Sequence, residues 1–159
     1  MSNARKTSAG LLLYRVHDGR LEVFIGHMGG PFWQNKDAGG WSILKGEYED
    51  HEDPFLAARR EFAEETGNEP PHGATVDLGE VRQPSGKRIT AWAIEGDFDP
   101  AAVKSNTFTM EWPPRSGRQQ EFPEIDRADW FDTATARVKL VSGQVPFIDV
   151  LERRVLEAA

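Results

Sequence analysis

Two apolar runs near the N-terminus predict the first elements of the fold. Residues 8–16 (SAGLLLYRV) and 21–28 (LEVFIGHM) are rich in the aliphatic and aromatic side chains that favour strands. The sequence HDGR separates them, and Asp-Gly is a strong hairpin signal. The pattern therefore predicts two antiparallel strands, followed by a glycine-rich aromatic loop over residues 29–41.

A central helix is predicted after residue 53. Asp53 can cap this helix by accepting a backbone N–H, and Pro54 suits the first helical position. Alanine, arginine and glutamate continue the helix to Gly67, a typical C-terminal stop. The apolar positions expected broadly on the side opposite the glutamates, an arc that Arg59 interrupts, are Phe55, Leu56, Phe62 and Ala63.

The rest of the chain supplies further strands and helices around a proline-rich segment, residues 97–126, that is expected to be irregular. The predicted later elements are strands at 75–83, 88–95 and 128–132, a short helix at about 133–141 and a final helix that begins near Pro146. This order of elements predicts a single α/β domain over residues 1–159, with residues 1–6 as a disordered tail.

The composition limits the chemistry. The 159 residues include 26 acidic and 19 basic side chains, which gives a formal net charge of −7. The absence of cysteine excludes a disulfide framework, a thiolate zinc site and a cysteine nucleophile. No apolar run approaches the roughly 18 residues of a membrane span, and an acidic chain is a poor partner for a nucleic-acid backbone. We expect a cytoplasmic protein that acts on a small molecule, as a monomer or a homodimer, with no stable nucleic-acid partner.

Three glutamates of the predicted helix carry the strongest chemical signal. Glu61, Glu64 and Glu65 stand at i, i+3 and i+4, so they share one face. Their mutual repulsion does not stabilise an isolated helix, but hard divalent cations such as Mg²⁺ prefer oxygen ligands. With no cysteine and no histidine at ligand spacing, the cluster suits such a cation and not zinc. A solvated acidic face is the alternative interpretation of these three residues taken alone.

The spacing around the glutamates favours the metal. From Gly46 the segment reads GEYEDHEDPFLAARREFAEETGN, which sets Glu52, Arg60–Glu61, Glu64–Glu65 and Gly67 at fixed intervals. At about 7% usage per residue type, seven fixed positions match by chance on the order of 10⁻⁸ per start site. The segment resembles the Nudix box, and the chain resembles a Nudix hydrolase over most of residues 7–157. The resemblance implies an α/β/α sandwich around a mixed β-sheet.

One position departs from the family pattern. Asn68 stands where the family has an apolar residue that helps to pin the end of the helix into the core. The departure affects local packing and no metal ligand.

The resemblance also implies a reaction and a metal. Nudix hydrolases cleave a nucleoside diphosphate linked to another moiety by attack of water at phosphorus, with Mg²⁺ or Mn²⁺ as cofactor. The implied metal ligands are Glu61 and Glu65, with Glu64 as a further ligand or the general base. The backbone carbonyl of Lys45 or Gly46 is implied as an additional ligand.

Other charged residues have supporting roles by the same resemblance. Arg60 is expected to orient a glutamate through a charge-assisted pair, and Glu52 to act beside the metal or as a ligand. Many family members use a further carboxylate from the loop before the last strand. Glu121 or Glu124 is the corresponding candidate base.

Aromatic and basic side chains are candidates for binding the substrate. Phe32 and Trp33 of the glycine-rich loop, and Trp112, could stack on a nucleobase. Lys45 and Arg88 are the predicted phosphate contacts, and the other basic candidates are Arg82, Lys87, Arg115 and Arg118.

The sequence WSILKG before the box is similar to the Trp-x-x-Pro-Lys-Gly segment of diadenosine polyphosphate hydrolases, with Leu44 in place of proline. This similarity favours a nucleoside triphosphate or a dinucleoside polyphosphate as substrate. The alternative is a nucleotide-binding regulatory module that keeps the fold without catalysis.

Overall fold

The structure is a computed structural model that describes residues 7–156, so the tail predicted at residues 1–6 lies outside the described part. Within that part, no helix is long and apolar enough to cross a membrane. The strands and helices are β1 Thr7–His17, β2 Arg20–Met28, β3 Trp41–Ser42, β4 Leu44–Glu47, α1 Pro54–Thr66, β5 Thr75–Arg82, β6 Arg88–Glu95, β7 Thr107–Glu111, β8 Gln119–Pro123, β9 Ile125–Asp132, α2 Thr133–Lys139 and α3 Val145–Leu156.

A seven-stranded mixed sheet forms the centre of the fold. Its hydrogen-bonded path runs β3-β2-β1-β6-β5, with β4 paired to β1 and β9 paired to β2. Strands β1 and β6 are parallel, and the other pairings in this sheet are antiparallel. The predicted hairpin at the N-terminus is present, with Leu13 opposite Phe24.

The two faces of the sheet are both buried, which produces three layers. Successive residues of β1 alternate between two cores because a strand directs its side chains to opposite faces in turn. Leu12 and Tyr14 belong to the core beneath α2 and α3, whereas Leu11 and Leu13 belong to the core beneath α1. The predicted α/β/α sandwich around a mixed sheet is confirmed.

The central helix begins and ends as its sequence predicts. The Asp53 carboxylate accepts the N–H of Leu56 at 3.0 Å, and Pro54 is the first helical residue. Gly67 ends the helix in the left-handed conformation, with φ 73°, and donates its N–H to the carbonyl of Ala63. Glycine adopts this conformation without the strain that a Cβ atom would add.

The inward face of α1 differs from the prediction. Leu56, one of the apolar positions expected opposite the glutamates, is 64% exposed. The buried face carries Ala58, Phe62 and two of the glutamates, Glu61 and Glu65. Leu56 lies nearly opposite this face, since each residue turns the helix by about 100°.

Hydrogen bonds replace the expected apolar contact at the end of α1. The Asn68 side-chain amide donates to the carbonyl oxygens of Thr66 and Ala102, each at 2.9 Å. Its backbone N–H also donates to Thr66 Oγ1 at 3.1 Å. Asn68 therefore fastens the helix end to the segment between β6 and β7 by polar contacts.

The segment predicted to be irregular contains a β-hairpin, so that prediction is wrong. Strands β7 and β8 pair only with each other in the sheet topology, with Phe108 opposite Phe122. The base of the hairpin is closed by the Glu124 N–H, which donates to Asn106 O at 2.9 Å, and Asn106 N–H in turn donates to Glu64 O of α1 at 3.2 Å. The last strand starts at Ile125 and not at residue 128.

Candidate active site

Gly46 lets β4 pass very close to α1. A Cβ atom at this position would lie 1.9 Å from Glu61 Oε2, which is impossible without moving the carboxylate. Glu61 and Glu65 are one turn apart on α1 and each is only 7% exposed. The glycine therefore makes room for carboxylates that are held between the helix and the strand.

Arg60 links three of the glutamates of the motif. Its Nη1 donates to Glu61 Oε1 at 2.9 Å and to Glu64 Oε1 at 3.1 Å. Its Nε and Nη2 each donate to the Glu52 carboxylate at 3.2 Å. The backbone N–H of Glu49 and the Arg60 charge hold the pKa of Glu52 below its usual value. The arginine thus fixes the position of Glu61, as a charge-assisted pair is expected to do.

The buried carboxyl groups have raised pKa values, and one of their oxygens lacks a hydrogen-bond partner within residues 7–156. Burial, and then the charges of Glu124 and Glu61, raise the pKa of Glu65 to about 8. Burial also raises the pKa of Glu61 and of Glu124. Among the described residues, Glu65 Oε2 has no hydrogen-bond partner. A buried acceptor without a partner is costly, and a bound cation would satisfy it.

A cavity of about 450 Å³ opens over these carboxylates. We call it the carboxylate cavity; its lining residues are Ser8, Lys45, Gly46, Glu47, Glu61, Glu65, Gln83, Lys87, Asn106 and Glu124. Burial, followed by the nearby charge of Lys87, lowers the pKa of Lys45. The cavity therefore brings acidic and basic side chains together in its lining.

Of the two candidate loop carboxylates, the structure brings Glu124 into the cavity. Glu124 is placed by two backbone hydrogen bonds, one from its N–H to Asn106 O and one from Gly29 N–H to its carbonyl oxygen, both at 2.9 Å. Glu121 lies opposite Thr109 in the β7–β8 pair, is exposed, and does not line the cavity.

The exposed carboxylate of α1 also lies apart. Glu64 does not line the carboxylate cavity, and its side chain is half-exposed and paired with Arg60.

The basic candidates separate in the same way. Lys45 and Lys87 line the carboxylate cavity, whereas Arg88 does not and has Glu80 as its ion-pair partner at 3.7 Å. Lys87 belongs to the turn between β5 and β6, which the Gln83 N–H closes by donating to Lys87 O at 2.8 Å.

A second cavity, of about 260 Å³, adjoins the first at Glu124. We call it the aromatic cavity; its lining residues are Met28, Gly29, Trp33, Phe108 and Glu124. A smaller cavity of about 120 Å³ is also lined by Glu124, together with Lys45 and Glu65. Glu124 therefore lies where the three spaces meet.

The aromatic candidates occupy two places. Trp33 lines the aromatic cavity, whereas Phe32 is 68% exposed and contacts the Trp112 ring edge-on, with centroids 5.6 Å apart. Phe108 was not identified from the sequence, because the hairpin that carries it was not. The alternation of polar and apolar residues in Thr107–Glu111 (TFTME) was the available signal.

The donor set fits a hard divalent cation. In residues 7–156, no three acidic or histidine side chains are grouped so that they form a metal cage by themselves. Glu61 and Glu65 nevertheless offer two carboxylates, one with an unpartnered buried oxygen, beside the close approach at Gly46. Mg²⁺ commonly takes one or two carboxylates and completes its shell with water and substrate phosphates.

Comparisons with known proteins place this geometry in a family. A family model of the NUDIX domain matches residues 4–151. Among curated proteins, none matches the chain significantly.

Several solved structures share the fold. The NUDIX domain of Shewanella oneidensis NrtR, complexed with ADP ribose, is 17% identical with a TM-score of 0.65, and the match covers 97% of this chain and 90% of that chain. A C. elegans Ap4A hydrolase is 16% identical with a TM-score of 0.63, over 94% of this chain and 98% of that chain. S. oneidensis NrtR complexed with a 27mer DNA is 17% identical with a TM-score of 0.59, over 95% of this chain but 62% of that chain.

Likeness at these identities shows a common fold alone. The family model, in contrast, spans nearly the whole chain and includes every residue of the carboxylate cavity. The protein therefore belongs to the NUDIX domain family.

Proposed function

We propose that this protein is a divalent-metal-dependent pyrophosphohydrolase that cleaves a nucleoside diphosphate linked to another moiety. The supporting observation is the meeting of Glu61, Glu65 and Glu124 with Lys45 and Lys87 in the carboxylate cavity. Carboxylates suit a hard cation, and lysines bind phosphate. Phosphoryl transfer needs this combination, because its catalysis depends on positioning and charge neutralisation. Family membership supports the same class of reaction.

Glu61 and Glu65 would hold Mg²⁺ or Mn²⁺, together with the carbonyl oxygen of Lys45 or Gly46. When bound, the cation neutralises phosphate charge and polarises water. Arg60 holds Glu61 in place. Glu64 is a more distant candidate for a further ligand or base, because its half-exposed carboxylate pairs with Arg60.

Glu124 is the proposed general base. It lines all three cavities, and its backbone is fixed from both sides. Burial raises the pKa of its carboxyl, which improves its ability to take a proton from an attacking water. Lys45 and Lys87 are proposed to contact the phosphates that lie across the cavity.

The aromatic cavity is the proposed site for the nucleobase. Trp33 and Phe108 line it, and an aromatic face can stack on any base. A nucleotide with its base there would extend its phosphates past Glu124 toward Glu65, since both cavities include Glu124. The proposed substrate is a nucleoside triphosphate or a dinucleoside polyphosphate.

A nucleotide-binding regulatory module is the second candidate. The fold likeness to the NrtR NUDIX domain complexed with ADP ribose favours it. The buried, unpartnered Glu65 oxygen favours catalysis instead, because binding a nucleotide alone does not require such a costly group.

A hydrolysis panel tests the proposal. The panel contains nucleoside triphosphates, diadenosine polyphosphates, ADP-ribose and nucleotide sugars, each with Mg²⁺ or Mn²⁺ and with products identified by chromatography. We expect one class to be cleaved, with turnover abolished by chelator and reduced at least about 100-fold by Glu61→Gln. Glu69→Gln, at an exposed position beyond α1, is the control and retains turnover. Nucleotide binding without turnover of any class would favour the regulatory module.

A further inference from the structure

His27 is a fully buried histidine with both ring nitrogens engaged. It lies on β2 with 0% exposure, and its Nδ1 is 2.8 Å from Asp126 Oδ1. Its Nε2 is 2.7 Å from the backbone carbonyl oxygen of Lys36. The ring also contacts Trp41 edge-on, with centroids 5.3 Å apart. In the described part of the chain, the polar contacts given for this ring are to Asp126 and Lys36, which are not among the proposed cation or phosphate contacts.

The two partners of His27 determine where protons lie. A carbonyl oxygen can only accept, so Nε2 carries a proton and donates to Lys36 O. On the other side of the ring, Nδ1 lies within hydrogen-bond distance of Asp126 Oδ1, at 2.8 Å. The ring, itself fully buried, therefore bridges two segments of chain with two hydrogen bonds.

A bulge brings Asp126 to the histidine. In the β2–β9 pairing His27 is opposite Arg127 and Met28 is opposite Ile125, so Asp126 is an extra residue in β9. Bulges re-aim side chains that a regular ladder would direct to the other face. The irregularity thus has a specific result, which is the contact between Asp126 and His27.

The bridged segments carry two walls of the aromatic cavity. On one side, Lys36 N–H donates to Trp33 O at 3.0 Å, so the carbonyl that His27 holds belongs to the turn that carries Trp33. On the other side, Asp126 lies two residues after Glu124, which lines the same cavity. Met28, the neighbour of His27, lines it as well.

We propose that His27, through Asp126 and Lys36, is a positioning residue that sets the separation of the Trp33 and Glu124 walls and thereby the affinity for the nucleobase. This inference rests on the proposed use of the aromatic cavity by a nucleotide. His27 touches neither the substrate nor the cation, and it acts through the two walls that it joins.

The test separates base binding from phosphate binding. Binding of α,β-methylene-ADP and α,β-methylene-GDP is measured by calorimetry with Mg²⁺, beside methylenediphosphonate, which has the same phosphonate group and no nucleoside. Asp126→Ala is the first variant, because this side chain is partly exposed and its loss does not open the core. We expect this variant to lower the affinity for the nucleotide analogues about tenfold. Its affinity for methylenediphosphonate should stay within about twofold of the wild-type value.

Three further variants test whether the effect is merely structural. Asp126→Asn should restore nucleotide affinity, because its amide N–H can donate to Nδ1 of a neutral His27. Asp129 is exposed on the same strand, and Asp129→Ala should bind the nucleotide analogues and methylenediphosphonate with wild-type affinity. His27→Gln should resemble Asp126→Ala if it folds.

The outcomes distinguish this inference from the proposed function. The positioning role would be overturned if Asp126→Ala lowered the affinity for the nucleotide analogues and for methylenediphosphonate equally, or lowered neither. Either result would leave the proposed function intact. A wild-type protein that binds methylenediphosphonate but neither nucleotide analogue would overturn the positioning role and the base site together. A wild type that binds none of the three would overturn the proposed function as well.

Discussion

Replacing Glu65 by glutamine should stabilise the metal-free protein at neutral and alkaline pH. The carboxyl ionises near pH 4.5 in the unfolded chain and near pH 8 in the fold, where burial and the charge of Glu124 disfavour its anion. Between these values the folded state binds more protons than the unfolded state. Stability is therefore lost as pH rises from about 4.5 to about 8. Glutamine keeps the shape of the side chain without the charge.

The magnitude follows from the difference between the two pKa values. At pH 7 the penalty on the wild type is about 3 kcal/mol, and it approaches about 5 kcal/mol above pH 8. Near pH 5 it falls to about 1 kcal/mol. With a urea dependence of about 1–3 kcal/mol per molar, the pH 7 difference corresponds to a midpoint shift of about 1–3 M.

Urea unfolding followed by tryptophan fluorescence measures this effect. The wild type and Glu65→Gln are compared at pH 5, 6, 7 and 8 in EDTA, with Glu69→Gln as an exposed control that should follow the wild type. The variant keeps part of the pH dependence, because burial also raises the pKa of Glu61 and Glu124. The reasoning would be refuted if the free energy of unfolding of the wild type and of the variant changed in parallel from pH 5 to 8. A variant less stable than the wild type at pH 8 would refute it as well.

Magnesium should reverse the order, since it stabilises the folded wild type by mass action and the variant lacks one of the two proposed carboxylate ligands. The same carboxyl would then be unfavourable for the empty fold and favourable for the loaded one. Equal stabilisation of both proteins by Mg²⁺ would remove Glu65 from the ligand set.

Three other predictions follow from the site. Glu124→Gln should lower kcat at least about 100-fold, as expected for loss of a general base, while the kcat of Glu121→Gln stays near the wild-type value. Steady-state kinetics in saturating metal measure both, and equal losses of kcat would contradict the assignment. Gly46→Ala should weaken metal affinity about 10- to 100-fold because its methyl group displaces Glu61. Titration with Mn²⁺ followed by electron paramagnetic resonance measures this affinity, and an unchanged value would argue against the close approach of residue 46 to Glu61. Trp33→Leu should raise KM for a nucleotide about tenfold with kcat nearly unchanged, and an unaltered KM would exclude base stacking there.

Local signals in the sequence are sufficient to predict α1, its two ends and the role of Arg60. Asp53, Pro54 and Gly67 act through contacts within a few residues, so their roles follow from spacing alone. The same holds for Arg60, whose partners all lie on its own helix or in the turn just before it. The motif also requires a glycine at position 46, but only the packing of β4 against α1 explains that glycine in physical terms.

Residues positioned by distant contacts could not be derived in this way. Glu124 and Glu121 are equivalent in the sequence, and only the register of β8 and the bond to Asn106 bring one of them to the cavity. Likewise, the β5–β6 turn brings Lys87 to the cavity and leaves Arg88 with Glu80. These choices depend on strand pairing, which is set by packing across the whole sheet.

The β7–β8 hairpin has a consequence for how specificity could diverge. Its strands pair with each other and not with the central sheet, and the backbone bond between Asn106 and Glu124 closes its base. We therefore expect that residues 107–123 can be lengthened, shortened or exchanged as a unit while the closing bond keeps Glu124 in place beside α1. Because Phe108 of this segment lines the proposed base site, changes in base preference could accumulate there without altering α1. Grafting hairpins at these two positions is accordingly a route to redirect the enzyme toward other substrates.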